Sequence, residues 1–207
     1  MTAQHPLPTD RTTDHPAHRL FVDRWSPRGF SDEALPEKEL LTFIEAARWA
    51  PSSSNSQPWR FLYALRGQPA FETFLAPLVE FNRGWAQHAA ALVYVISKKT
   101  YTQAGKTEPT PSRTHSFDAG AAWANFANQA ALSGWAAHGM AGFDVAAAQQ
   151  ALQVPNDFAV EIAVAIGRKG DGAQLSASLR EREKPSQRLP VGDIAADGLF
   201  PQRFAGG

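Results

Sequence analysis

The 207 residues contain no cysteine, which excludes disulfides, thiolate metal sites and thiol nucleophiles. The chain also lacks an excess of either charge: Lys plus Arg and Asp plus Glu both total 20, so no long-range field gathers nucleic acid or an anionic membrane surface. No apolar run approaches the roughly 20 residues that a bilayer requires, and residues 1–18 are polar, without the apolar core of a signal peptide. A cytoplasmic protein with no nucleic-acid or membrane partner is expected. Missing too are Gly-x-Gly-x-x-Gly after a strand and Gly-Lys-Ser/Thr, the backbone cradles of Rossmann and P-loop sites. Without a Gly-x-Ser-x-Gly elbow, hydrolysis is a weak use of Ser52, Ser53 and Ser54, even with His88, His115 and His138 as candidate bases.

What is present suits one domain with a full core and no internal repeat. Residues 1–19 have little to bury and read as a flexible arm, or one ordered only against a partner subunit; a single domain over 20–207 follows. No element fixes His5, His15 and His18 on one face, so they read as a solvated tail and no metal site is expected. Pro36 suits a first helical turn, and Leu40, Leu41, Ile44 and Ala47 recur at helical spacing until Pro51. A strand is expected over 60–65, a helix over 70–79, and a strand covered on both faces over the apolar run 89–97. Residues 98–116 lose apolar content and are too long for an ordinary connection, which makes them a candidate lid or substrate loop. The Ala-rich stretch 118–138 predicts a buried central helix, with His138 capping free carbonyls at its end. Asp144 caps another helix to Leu152, and Phe158, Val160, Ile162, Val164 and Ile166 alternate along a strand ending at Gly167; the chain beyond Arg168 reads as irregular. The sum is an α+β domain, with a central mixed or antiparallel sheet of four to five strands covered by helices.

Two segments carry the chemistry. In Arg24-Trp25-Ser26-Pro27-Arg28 a hydroxyl lies between two guanidiniums. If the segment enters a helix or turn, both arginines share one side and form a phosphate clamp, the alternative being a solvated basic turn. In Pro51-Ser52-Ser53-Ser54-Asn55-Ser56-Gln57-Pro58-Trp59, hydroxyls and carboxamides are packed between two prolines with little backbone freedom. Gln57, Pro58 and Trp59 either contact a ligand or wedge the loop in place. Asn82 before the apolar strand reads by itself as a turn residue, and Gly142 permits either a close backbone approach to a ligand or an ordinary turn. Arg182, Lys184 and Arg188 bring basic charge together near the end, as ligands or as solvated groups. Trp25, Trp59, Trp85 and Phe143 could sandwich a flat molecule or fill the core.

In order and spacing, the two segments resemble the flavin-binding signature of the nitroreductase family, and the resemblance extends over about residues 21–195. It implies a nitroreductase-like fold and a homodimer with FMN at the subunit interface. NADH or NADPH would be the co-substrate, and a small nitroaromatic or quinone the acceptor in a ping-pong reaction. No side chain is then catalytic, because flavin N5 carries the hydride. The same resemblance assigns Arg24, Trp25, Ser26 and Arg28 to the phosphate and ribityl chain, with Arg188 completing the clamp. It assigns Pro51, Ser52, Ser53, Asn55 and Gln57 to the flavin of the other subunit. Asn82 would face the flavin, and the Met140-Ala141-Gly142 backbone would pass over the ring with an N–H toward N5. Ala141 stands where many relatives carry an acidic residue, so any role of that carboxylate is missing. Flavin-fragmenting or reductively dehalogenating relatives, and a flavin-binding protein without turnover, are the other readings of the same signature.

Overall fold

The computed structural model describes residues 10–205. A four-stranded sheet, entirely antiparallel, forms its centre in the order β1 (Trp59–Leu65), β2 (Ala91–Lys98), β6 (Phe158–Gly167), β5 (Ala136–Met140). Alternate residues of β2 supply opposite faces, as the strand period requires. Val93 and Val95 meet α2 (Glu37–Arg48) and α5 (His115–Leu132) on one side. Leu92, Tyr94 and Ile96 meet α3 (Ala70–Leu75), α4 (Glu80–Ala86) and α6 (Val145–Ala151) on the other. The result is a three-layer α+β sandwich with two cores. Phe43 and Phe126 are fully buried in the first, with ring centres 5.7 Å apart, and each contributes about 1.5–3 kcal/mol by burial.

Helix α2 begins after Pro36 as expected, but its buried stripe is Leu40, Phe43 and Ala47, and Leu41 is exposed. Two other helices differ from the periodicity. The expected helix over 70–79 stops at Leu75, and the segment containing Asn82 is itself helical, as α4. The expected helix over 118–138 starts earlier, at His115, and ends at Leu132. Gly134, at φ 78°, turns the chain, and Trp135 N–H closes the end by donating to the Ala130 carbonyl at 2.8 Å. Ala136, Ala137, His138 and Gly139 then form the edge strand β5, so His138 is not a helix cap. The 98–116 segment is also ordered: β3 (Thr100–Thr102) and β4 (Pro109–Pro111) form a separate hairpin. Beyond Arg168 lie the short helices α7 (Ala177–Glu181) and α8 (Val191–Ile194). Among the described residues no helix is long and apolar enough to cross a membrane.

His5 and the rest of the first nine residues lie outside the described residues. Residues 10–18 run over the surface into α1 (Arg19–Asp23), where the His18 ring caps Leu20 N–H at 3.2 Å.

Candidate active site

Basic groups collect where α1 ends. Arg24 is extended (φ −61°, ψ 129°) and the chain stays non-helical to Arg28, so the helix or turn that would have paired the two arginines is absent, and their contacts differ. Arg24 reaches the Ser26 hydroxyl at 3.5 Å, and burial followed by the charge of Arg188 pulls its pKa below the ordinary arginine value. Arg11 joins them from the N-terminal segment. Its Nη1 donates to the carbonyls of Val22 (2.7 Å) and Arg24 (2.8 Å), while its Nε is buried without a partner. Burial, then Arg188 and Arg24, lower the Arg11 pKa as well, against an opposing pull from Asp23. Both Asp23 oxygens are engaged by Arg19. Among the described residues no carboxylate is hydrogen-bonded to Arg11, Arg24 or Arg188. Arg188, among the described residues, bonds only to Ser186 and the Gln187 carbonyl. Trp25, half-buried, lies 5.4 Å under the Lys169 ammonium.

Arg28 belongs to a second locus. Its guanidinium lies 5.9 Å from the Trp85 ring centre, its Nε is buried without a partner, and its backbone N–H and that of Gly29 both donate to Glu183 Oε1, at 2.6 and 2.7 Å. His138 packs on the same indole at 4.7 Å, with Nδ1 3.0 Å from the Pro27 carbonyl. Burial above all, and Arg28 beside it, depress the His138 pKa, so the ring is neutral and Nδ1–H donates to Pro27. One turn before Trp85 on α4, the Asn82 amide donates to the Gly142 carbonyl at 3.0 Å, which also accepts from Val79 N–H. The lack of a side chain at Gly142 leaves room for this amide. A Cβ there would stand 2.6 Å from Asn82 Nδ2 and 3.1 Å from Val79 Cγ2. Met140 is buried in the core, leaving only its backbone at the strand end, whereas Ala141 is exposed. Trp59, Trp85 and Phe143 are core residues too, which settles their role as packing.

The serine-rich loop forms a third locus, and it is strained. A 3₁₀ turn over Ser53–Asn55 is followed by Gln57, and Ser54, Asn55 and Gln57 have φ of 53°, 50° and 47° without being glycine. Each such residue costs on the order of 1 kcal/mol. The anchors are local and specific. Ser52 Oγ accepts from Gln57 N–H at 3.0 Å, the Gln57 amide folds back on the Asn55 carbonyl at 3.2 Å, and the buried carboxylate of Asp118 accepts from Ser53 N–H (3.2 Å) and Thr114 Oγ (3.0 Å). Pro51 and Asn55 are exposed. Between the loop and the β3–β4 hairpin lies a cavity of about 230 Å³ lined by Ser53, Ser56, Tyr101, Ser112, Arg113 and Thr114.

Within one chain these loci are separate. Among the described residues no hydrogen bond joins residues 51–57 to Arg24, Arg28, Asn82 or Gly142. Three groups that the sequence reading passed over hold them in shape: Arg11, Asp118 and Glu183. Their types carry no signal, since each is one charge among many until the fold brings it to backbone donors or carbonyls far along the chain. A serine nucleophile finds no support in Ser97 or Ser116, the two serines whose hydroxyls meet His115 Nδ1, and Ser97 makes the shorter contact. Its hydroxyl is fully buried, donates to Glu161 and lies 2.7 Å from His115 Nδ1.

The nitroreductase family model matches residues 22–168. The chain belongs to the nitroreductase family. Among solved structures, an oxidoreductase containing FMN superposes with a TM-score of 0.90 at 45% identity, over 94% of this chain and 98% of that one. A nitroreductase family protein from Streptococcus pneumoniae shares the fold at 20% identity and a TM-score of 0.70, covering 87% and 98% of the two chains. By sequence, a 15.4 kDa uncharacterised protein of Mycolicibacterium smegmatis is 35% identical over 68% of this chain and 97% of its own. The chloronitrobenzene nitroreductase of Comamonas testosteroni is 42% identical, but over 31% of this chain and 28% of that enzyme.

Proposed function

We propose that this nitroreductase-family chain is a homodimeric FMN enzyme that takes hydride from NADH or NADPH and reduces a small electron-poor acceptor, a nitroaromatic or a quinone. It is an FMN-dependent oxidoreductase, and the observation that carries the reading is the set of arginines without carboxylate partners. Arg24 and Arg188 offer permanent charge and free donors where a phosphate dianion would neutralise them. The polar Arg28–Asn82–Gly142 locus suits the edge of a flavin ring, so the residues present fit FMN. When bound, FMN supplies the redox chemistry by accepting hydride at N5 and passing it on.

The chain's own tasks follow from its geometry. Arg24, Ser26 and Arg188 hold the phosphate, and Trp25 packs beside them. Arg28, held through Glu183 and Trp85, would offer charge to the flavin, and Asn82 and Gly142, which hold each other in place, would help to bind it. Ala141 and Gly142 offer backbone, and with Ala141 in place of an acid the chain holds no proton donor there; solvent supplies the proton. Pro51, Ser52, Ser53, Asn55 and Gln57 make no hydrogen bond to these groups in their own chain among the described residues, and their loop is strained. Phe117, next to the Asp118 anchor, is 81% exposed. Both features support a second subunit whose flavin the loop completes. The cavity beside Tyr101 and Arg113 would then admit the co-substrate or acceptor. A cytoplasmic site of action, where NAD(P)H is available, fits this chemistry.

Mixed dimers test it. Arg24→Ala should disable a subunit's own flavin site, and Ser53→Pro with Asn55→Pro should disable the site of its neighbour. Each variant alone should bind little FMN, and a co-refolded equimolar mixture should regain about one site in four, because about half of the dimers are mixed and each mixed dimer has one intact site of its two. Absence of any regain, or a monomer by sedimentation with full FMN binding, would refute the shared site.

A further inference from the structure

We propose that Arg11 is a third guanidinium ligand of the cofactor phosphate, so that residues 10–14 form a latch over the phosphate end of the site. The inference rests on the FMN reading above and extends it to a segment that lies ahead of the family's matched region, which begins at residue 22.

Three observations carry it. Arg11 is pinned beside Arg24, since its Nη1 donates to the Arg24 carbonyl at 2.8 Å and to that of Val22 at 2.7 Å; Nη2 has no protein acceptor among the described residues, and Nε is buried without one. The segment is also clasped to the strap that bears Arg188. Gln187 Nε2 donates to the Asp10 carbonyl at 3.2 Å, and Val191 N–H donates to Asp14 Oδ2 at 2.7 Å. Finally, the charges are of one sign. Arg188 and Arg24 both bear on Arg11, and Asp23, the acid that offsets them, is already engaged by Arg19.

A role confined to bracing α1 accounts for the Nη1 contacts but not for placing a third permanent cation against two others. A phosphate monoester accounts for both. It carries nearly two negative charges and three terminal oxygens, one for each guanidinium converging from the arm, from the end of α1 and from the C-terminal strap. Binding would thus hold the arm and the strap together, and the arm would help retain the cofactor.

The test compares FMN with riboflavin, which lacks the phosphate, by flavin fluorescence titration of the full apo chain. Arg11→Ala should weaken FMN at least about tenfold while leaving riboflavin within about twofold, as expected for loss of a charged hydrogen bond. In the Arg24→Ala background the same change should weaken FMN again by several-fold, because the Arg24 carbonyl that pins Arg11 is backbone and survives the substitution. Unchanged FMN affinity, equal losses for both flavins, or no further loss in the Arg24→Ala background would overturn the proposal, the last by showing that Arg11 acts only through Arg24. Should Arg11→Ala fail to fold, Arg11→Lys keeps the charge and should still reduce the preference for FMN over riboflavin; an unchanged preference would overturn the inference. A folded wild-type chain that binds no FMN would instead refute the cofactor reading itself.

Discussion

Replacing Asp118 by alanine separates the stability of the serine-rich loop from its function. The carboxylate is buried and accepts from Ser53 N–H at 3.2 Å and Thr114 Oγ at 3.0 Å. Two hydrogen bonds to a charged acceptor amount to about 3–6 kcal/mol, and the long Ser53 contact and the turning of Thr114 toward solvent put the loss at the lower end. Against it stands the strain at Ser54, Asn55 and Gln57, together about 3 kcal/mol, which the freed loop can release. At that lower end the two nearly cancel, so the net destabilisation is small, below about 1 kcal/mol in urea unfolding of the apo protein, whereas the loop conformation is lost. Limited proteolysis should cut Asp118→Ala within residues 52–57 much faster than wild type, and FMN affinity should fall at least about tenfold through the loop's contribution. Asp118→Asn, which keeps an acceptor, should retain most of both. A loss above about 4 kcal/mol with flavin affinity unchanged would refute the reasoning, because the carboxylate would then serve the core and not the loop.

The neutral, buried His138 makes a pH prediction. Its folded pKa lies below the ordinary value, so as pH falls through about 6.5 the unfolded chain takes up a proton that the native ring resists, and stability declines with acid. Urea midpoints measured on either side of that pH should show a component that His138→Gln lacks; identical slopes would rule it out. Gly142→Ala should cost about 1–2 kcal/mol by displacing the Asn82 amide 2.6 Å away, and adding Asn82→Ala should restore stability without restoring flavin binding. Thermal denaturation and fluorescence titration of both variants check this, and a Gly142→Ala protein that binds FMN normally would show that the Asn82–Gly142 pair has no part in the site.

Strong periodicity was readable from sequence, and so were segments whose chemistry is local. The alternation along 158–167 and the apolar run over 89–97 became β6 and, shifted slightly to Ala91–Lys98, β2, the paired centre of the sheet. Strand β5 was hidden because Ala136, Ala137, His138 and Gly139 have weak strand propensity and continue the alanine content of α5; its identity comes from pairing with β6. The family signature was visible in Arg24, Ser26 and the 51–59 loop because residue types and order are enough to display it. The separation of Arg24 from Arg28 was not, since it shows only in their contacts, Ser26 for one and the Trp85 ring for the other. Nor could spacing show that Asn82 and Gly142 need each other, being 60 residues apart.

The central claim is that this chain turns over as an FMN oxidoreductase, and anaerobic titration of the FMN-loaded protein with NADH and NADPH tests it most directly. The yellow flavin band should bleach with about one equivalent of at least one nicotinamide per flavin and return when a nitroaromatic or quinone is added. A loaded protein that stays yellow with both nucleotides would contradict the account.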